Sequence, residues 1–429
     1  MADSFPTHAE VPTLDEVQSG LGLAVAAVEA WRSNWAFSGG CYPAALPFLD
    51  DDNIGQACAW LKLDPGVTQA AGAAAAGIRA NPLLRRLIWH GHAEMFCPGA
   101  PAPAALAQWP MLPHNLGPIR DMFYVLVLLS GLAHVRRQHA EHGISPDITR
   151  DTLADLELGL QAYYRQNGRW GLYAERLSWL TGHWHAQLFR LGQLQFAFGQ
   201  FPFDYHVWRQ RSGRPLLVLA GRGMQFTADG DVAEAREGKL PAGCWTADYA
   251  QEAGLLRGHL VEPDGRVYRH CQSWPEKDLS LCLKQHDPIL EVHIPALGPL
   301  RPQACAASFR QALEFFPRHF PQRRFAAFTC VTWLLDPQLV AYLPADSNIL
   351  RFQREFYLYP NQRPNHRQIL ERVWGMPVPT LKDAPQNTRL QMAVARHLRA
   401  GKQWSTTGGF ILPQDLNWGA QVYQGSIRL

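Results

Sequence analysis

The stretch Ile289-Leu-Glu-Val-His-Ile294, the loop Pro295-Ala-Leu-Gly-Pro-Leu300, and the segment Phe325-Ala-Ala-Phe-Thr-Cys-Val-Thr-Trp333 bracket a helix-like run. In that run, Arg301 to Phe316, the apolar residues Cys305, Phe309, Ala312, Phe315 and Phe316 recur at helical spacing. Pro317 is expected to end the helix. The order is strand, helix, strand. If the two strands run parallel, they need such a crossover, and its hand is expected to be right-handed. In the first strand, Glu291 and His293 point to one face, and Val292 and Ile294 to the other.

Working outward, a short helix is expected at Asp336–Tyr342, another from Ser347, and an aromatic strand at Phe356–Tyr359. Upstream, Leu191–Gly199 alternates as a strand does, and Arg214–Ala220 is a short apolar strand. Gly221 to Asp278 is polar and glycine-containing, with no periodicity to assign. Thr388–Ala400 reads as a helix, followed by a stretch rich in Gly and Trp that has no evident place. The first part of the chain is helical in pattern. Thr13 and Glu16 form a capping box before Leu21, Val25, Val28 and Trp31. Further helices are expected at Asp51–Leu61, Pro65–Ala80, Trp89–Phe96, Pro118–Ala140 and Ser145–Asn167. The expected fold class is therefore α+β: an all-α domain over residues 1–180 and an α/β domain over 181–429. A chain of 429 residues exceeds one ordinary core, which also points to two domains.

The composition, 47% hydrophobic and 18% charged, is that of a packed globular protein. A net charge of +3 and only short basic pairs, such as Arg136-Arg137, argue against a nucleic-acid partner. The eight cysteines follow no CxxC pattern and read as reduced thiols. With a polar N-terminus, they place the protein in the cytoplasm. The most apolar run, Met122–Ala133, is about a dozen residues where a membrane span needs about 20, so no membrane role is expected. The sequence contains no GxGxxG, Walker loop, G-x-S-x-G or H-E-x-x-H motif. This argues against dinucleotide enzymes, P-loop NTPases, elbow-type serine hydrolases and zincins.

Four ordered phrases carry a resemblance. They are Phe189–Phe196, Glu291–Pro295, Cys330–Pro337 and Leu343–Phe352. With them the chain resembles a two-domain family of GNAT-like acyltransferases, a helical N-terminal domain followed by a GNAT-like C-terminal domain with a mixed central sheet. The resemblance covers most of residues 180–360. It implies acyl transfer from acetyl-CoA or another acyl-CoA, as co-substrate, to an amine or hydroxyl of a small molecule, with no metal. It also implies that acyl-CoA lies in the splay between two central strands. The loop after the first strand and the next helix N-terminus would hold the diphosphate. Here that loop offers Leu297, Gly298, Leu300 and Arg301, while Pro295, Pro299 and Pro302 lack backbone donors. A non-catalytic ligand-binding module, or a hydrolase or carbohydrate-modifying enzyme reusing the cleft, are the alternatives.

Among candidate catalytic residues, His293 suits a general base, with Glu291 as an alternative base or as its orienting partner. Cys330 is a candidate nucleophile or a small buried hydrophobe. Tyr357 and Tyr359 face one way; Tyr359 is the candidate acid for a leaving thiolate. Ser347 and Asn348 open a helix where they either cap it or bind substrate oxygen. Arg190 and Arg351 suit an anionic group or a structural ion pair. Two H-x-H pairs, His90/His92 and His183/His185, raise metal binding. On a helix such a pair diverges by about 200°, which disfavours the first. Trp179, Trp184 and Trp208 offer stacking surfaces or core filling.

Overall fold

The structure, a computed structural model, describes residues 11–100, 106–211, 213, 216–235, 239–361, 366–375 and 380–424. The chain divides into two compact units, Met1–Arg190 and Leu191–Leu429, ten residues beyond the boundary expected from the sequence. The helix Leu177–Trp184 accounts for the difference. Trp184 is fully buried in the helical core and donates its indole N–H to Leu128 O at 2.9 Å.

The first unit is built from eleven described α-helices. In order these are α1 Leu14–Leu21, α2 Val25–Arg32, α3 Trp35–Gly40, α4 Asp51–Leu61, α5 Pro65–Ala80 and α6 Pro82–Phe96. They continue with α7 Pro118–Ser130, α8 Leu132–Glu141, α9 Pro146–Leu153, α10 Asp155–Asn167 and α11 Leu177–Trp184. The capping box of Thr13 and Glu16 forms. The apolar run from Leu21 to Trp31 is nevertheless broken, because Gly22 ends α1 at φ +67. The Ala-rich α5 buries Ala71, Ala74 and Ala75, and Leu and Val side chains of α7 fill the centre of the core. The apolar run is longer than the dozen residues read from the sequence. Among the described residues, Pro118–Glu141 is long and apolar enough to cross a membrane by length and composition, and 67% of its most apolar window is buried within the protein.

The second unit carries the sheets. The strands are β1 Leu188–Leu191, at the boundary of the units, then β2 Leu194–Gln200, β3 Tyr205–Gln210, β4 Leu216–Ala220, β5 Gln225–Phe226, β6 Trp245–Thr246 and β7 Ala250–Glu252. They continue with β8 Leu255–Val261, β9 Val267–Pro275, β10 Leu279–Leu283, β11 Pro288–His293, β12 Ala327–Thr332, β13 Tyr357–Tyr359 and β14 Thr407–Ile411. The helices are α12 Pro302–His319, α13 Asn348–Gln353, α14 His366–Trp374 and α15 Arg389–Arg399. The central mixed sheet has the order β1-β2-β11-β12-β14-β13. Its β11 and β12 are parallel and joined through α12, while β2 and β14 flank them antiparallel. The expected strand Leu191–Gly199 is divided by a turn at Gly192, φ +66, and Arg214 lies outside the described residues. The polar stretch between Gly221 and Asp278 joins a second antiparallel sheet, β10-β3-β4-β8-β7, with β9 also paired to β8.

One face of the central sheet packs on α12. Phe196, Phe328 and Phe309 meet edge to face at 5.1–5.8 Å between ring centroids. Pro317 does not stop α12. It falls in the last turn, where its missing N–H removes only a bond near the helix end, and the helix continues to His319.

Candidate active site

Pairing between β11 and β12 ends where the candidate chemistry begins. The parallel register runs Ile289↔Ala327, Leu290↔Phe328 and Glu291↔Thr329. Beyond it, Val292 and His293 pair only with Phe196 and Gln195 of β2. Cys330, Val331 and Thr332 pair only with Gly409, Gly408 and Thr407 of β14. The two central strands therefore part after Glu291 and Thr329, and Val331 on the separating edge is 45% exposed. Such an apolar residue at a gap between two strands suits an extended ligand that lies between them.

Period-two alternation sorts the site residues onto faces. Glu291 and His293 share a face with Thr329 and Val331 of β12, and through β14 with Phe410 and Gly408. The β13 register adds Tyr357, opposite Phe410, and Tyr359, opposite Gly408. His293 Nε2 lies 3.5 Å from Glu291 Oε2, with both side chains half-buried. That distance lets the carboxylate orient the ring.

Two glycines shape this face, and local pattern gave no hint of either. A Cβ on Gly199 would stand 2.5 Å from Glu291 Oε1, so the carboxylate lies directly over the β2 backbone. A Cβ on Gly408 would collide with the tip of the Tyr359 ring, so that ring lies across bare β14 backbone. Tyr359 is enclosed by Phe201, Phe203 and Tyr205. Burial holds its phenol well above the usual range, and its hydroxyl has no hydrogen-bond partner among the described residues. The neighbouring Tyr357 is committed, donating to Val261 O at 2.6 Å.

Cys330 falls on the opposite face, the one that packs on α12. It is buried, and burial pushes its thiol up to about 12. A thiol without base or helix N-terminus, on the far side of the sheet from His293, fills space and does not attack. Ser347 is the N-cap of α13 and accepts from Leu350 N at 3.3 Å, while Asn348 is the exposed first helical residue. Arg351 is exposed on α13. Arg190 ends the first unit on β1, and its backbone N–H donates to Thr152 Oγ1 at 3.1 Å. The structure thus joins Glu291, His293 and Tyr359 on one face and leaves Cys330 on the other.

The loop after β11 is braced by Gln193, whose role the sequence did not disclose. Gln193 Nε2 donates to Pro299 O at 2.6 Å, and its Oε1 accepts from Arg301 N at 3.1 Å. Leu297 N–H is spent on Pro295 O at 2.8 Å, and the Leu300 side chain is buried. Pro302 is the first residue of α12, and no side chain caps the helix. What remains for an anion is the loop amides of Ala296, Gly298 and Leu300, the first-turn amides of Gln303 and Ala304, and the exposed Arg301 guanidinium. Gly298, at φ +96, has open space on its Cβ side, so a ligand can approach its backbone. These residues fit an extended diphosphate, with fewer backbone donors than a glycine-rich loop would supply.

The rings of the two H-x-H pairs are each engaged with a separate partner. His90 Nδ1 meets Ser38 Oγ and His92 Nδ1 meets Ser130 Oγ, each at 2.8 Å. His183 meets Trp179 O, and His185 meets Met95 O. No group of three metal-ligating side chains occurs among the described residues. Trp184 and Trp208 are core residues of different units, and Trp179 donates to Asp155, so the three form no common stacking surface.

Comparison with known proteins identifies this arrangement. Residues 188–411 match the GNAT-like C-terminal domain, and residues 52–186 match the N-acyltransferase N-terminal domain. The chain belongs to the two-domain GNAT-like acyltransferase family. Among solved structures, this acyltransferase is similar to an acyltransferase in complex with decanoyl-CoA and teicoplanin. That similarity has a TM-score of 0.66 and 25% identity, covering 94% of this chain and 99% of the other. It is also similar to an acyltransferase mutant in complex with octanoyl-CoA, at a TM-score of 0.65 and 25% identity over 93% and 99% of the two chains. No curated protein matches.

Proposed function

We propose that this protein transfers a medium-chain acyl group from acyl-CoA to an amine or hydroxyl of a small-molecule acceptor. The observation that carries this reading is the parting of β11 from β12 after Glu291 and Thr329, with Glu291 and His293 at its edge. A chain longer than acetyl is favoured by the exposed Val331 along the gap, and by the decanoyl-CoA and octanoyl-CoA bound in the similar acyltransferases. The teicoplanin bound by one of them supports an acceptor that is a whole natural product rather than a single amino acid.

In this reading His293 takes the proton of the acceptor as its nitrogen or oxygen bonds to the acyl carbon. Glu291 orients the imidazole and balances the charge it gains. The C–S bond breaks as that bond forms, and the sulfur leaves as thiolate. Tyr359, kept protonated by burial and without another use for its hydroxyl, supplies the proton to that sulfur. Arg301 and the amides around Gly298 hold the diphosphate, and Gln193 fixes the loop that carries them.

The test is calorimetric titration of the full chain with decanoyl-CoA, acetyl-CoA and CoA, then mass spectrometry of amine and glycoside acceptors incubated with enzyme and decanoyl-CoA. Saturable micromolar binding with decanoyl-CoA ahead of acetyl-CoA, and acceptors heavier by one decanoyl group, are expected. Failure of decanoyl-CoA to bind at millimolar concentration would remove the proposal.

A further inference from the structure

The helical unit carries a half-open surface pocket of about 440 Å³, most of whose lining residues are exposed and which the acyl-transfer reading does not use. Trp60 forms one wall, Ala133, Ala140 and Ile144 form the apolar part, and Arg136 and Arg137 bring positive charge. Its size falls in the range of small-molecule sites.

The charges are not balanced within the site. No carboxylate lines the cavity, and neither Arg136 nor Arg137 makes an ion pair among the described residues. Nearby Arg150 is different, because Asp147 neutralises it at 2.9 Å. Arg150 also donates to Trp60 O at 3.1 Å, which fixes the backbone behind the indole. The Arg136 guanidinium carbon lies 4.9 Å from the centre of the Trp60 ring, so the cation is seated on the aromatic wall. Pro146 and Thr149, from the first turn of α9, complete the lining. Ser145 caps that turn, and the Thr149 hydroxyl is engaged with Ser145 O and His139 Nδ1. The recognition groups left over are therefore two guanidiniums, not neutral donors.

A ligand matching this lining has an anionic end and an apolar body. Inorganic phosphate would leave the alanines and Ile144 unused, and a cation would be repelled. The planar fork of a guanidinium suits a carboxylate. We propose that the cavity of Trp60, Arg136 and Arg137 is a binding site for an amphiphilic carboxylate, an acid carried on an aliphatic or aromatic body.

The experiment titrates the full chain with carboxyl-13C octanoate, read by NMR line broadening and by calorimetry in the presence of saturating CoA. Octan-1-ol and inorganic phosphate serve as controls. Saturable octanoate binding is expected, with both controls binding at least about tenfold more weakly. The double variant Arg136→Gln/Arg137→Gln should weaken octanoate at least about tenfold. Ala140→Glu, an exposed helical position that puts a carboxylate into the lining, should do the same while the melting temperature stays unchanged. Absence of saturable binding at millimolar octanoate, equal binding of octan-1-ol, or undiminished binding by both variants would each overturn the assignment.

Discussion

Glu291 lies over Gly199 so closely that a β-carbon on the glycine would be 2.5 Å from the carboxylate oxygen. The bare backbone of β2 therefore sets where the carboxylate can rest, and with it the 3.5 Å approach to His293. Gly199→Ala should push Glu291 aside. Turnover is expected to fall about tenfold or more, with a loss of about 1–3 kcal/mol in stability from crowding. Steady-state kinetics beside urea unfolding decide it, and an unchanged kcat would mean that Glu291 is free to rest elsewhere.

His293→Ala should lower kcat by about a hundredfold or more while the KM for decanoyl-CoA holds. Because the side chain is only half-buried, unfolding should shift by no more than about 0.5 kcal/mol. Restoration of activity by added imidazole would mark the lost group as a base. Full activity in the variant would take His293 out of the reaction.

Tyr359→Phe separates chemistry from packing. The hydroxyl makes no hydrogen bond among the described residues, so its removal should leave stability unchanged or slightly raised, since a buried unsatisfied group is lost. Turnover should fall about tenfold or more, and less with acyl donors whose thiol leaves as a stable anion. An equal loss with every donor would show that the ring, and not the proton, matters.

Stability should fall on mild acidification. Burial, reinforced by neighbouring positive groups, lowers His90 to about 3 and His92 and His139 to about 4. The unfolded imidazoles titrate near 6.5. Above that pH their contribution is complete, and as pH falls from 6.5 towards 4 the unfolded chain takes up protons that the native one refuses. Glu94 acts in the opposite sense. Burial raises it to about 7 from 4.5, so its contribution is present below 4.5 and is lost as pH rises through 7. Asp336, which burial raises to about 6 from 3.8, acts in the same sense as Glu94. The three depressed imidazoles outweigh these two carboxyls, and the urea midpoint at pH 4.5 should lie below that at pH 7. A midpoint equal or higher at pH 4.5 would show that these rings are accessible to protons in the native state.

The parts of the fold that follow local rules were legible in the sequence. The alternation around Glu291 and His293 and the helical spacing from Cys305 to Phe316 suffice to give strand, helix and strand in that order, while the parallel direction of the two strands is fixed only by their pairing in the sheet. The faces of Glu291, His293 and Tyr359 follow from the same alternation. What escaped is set by long-range pairing. Thr407-Gly-Gly-Phe-Ile411 shows no alternation because all five residues are buried, so nothing marks it as a strand. The second sheet includes β7, of only three residues, and β5 and β6, of two residues each, form a separate two-stranded ribbon, all too short to show a period. Gly199 and Gly408 matter for what their missing side chains leave room for, and Gln193 matters for a loop more than a hundred residues away.

The position of β14 between β12 and β13 bears on how the chain is made. Both neighbours leave the ribosome before it does, and β14 is the strand with which each pairs on that side. During synthesis, the edges of β12 and β13 stay unpaired until Thr407–Ile411 emerges, and open strand edges recruit other chains. A transcript truncated shortly before residue 407 would yield a protein with its helical unit whole and its central sheet cut in two. Nascent chains of this enzyme should therefore be most prone to aggregation in the interval between the emergence of β12 and that of Thr407–Ile411.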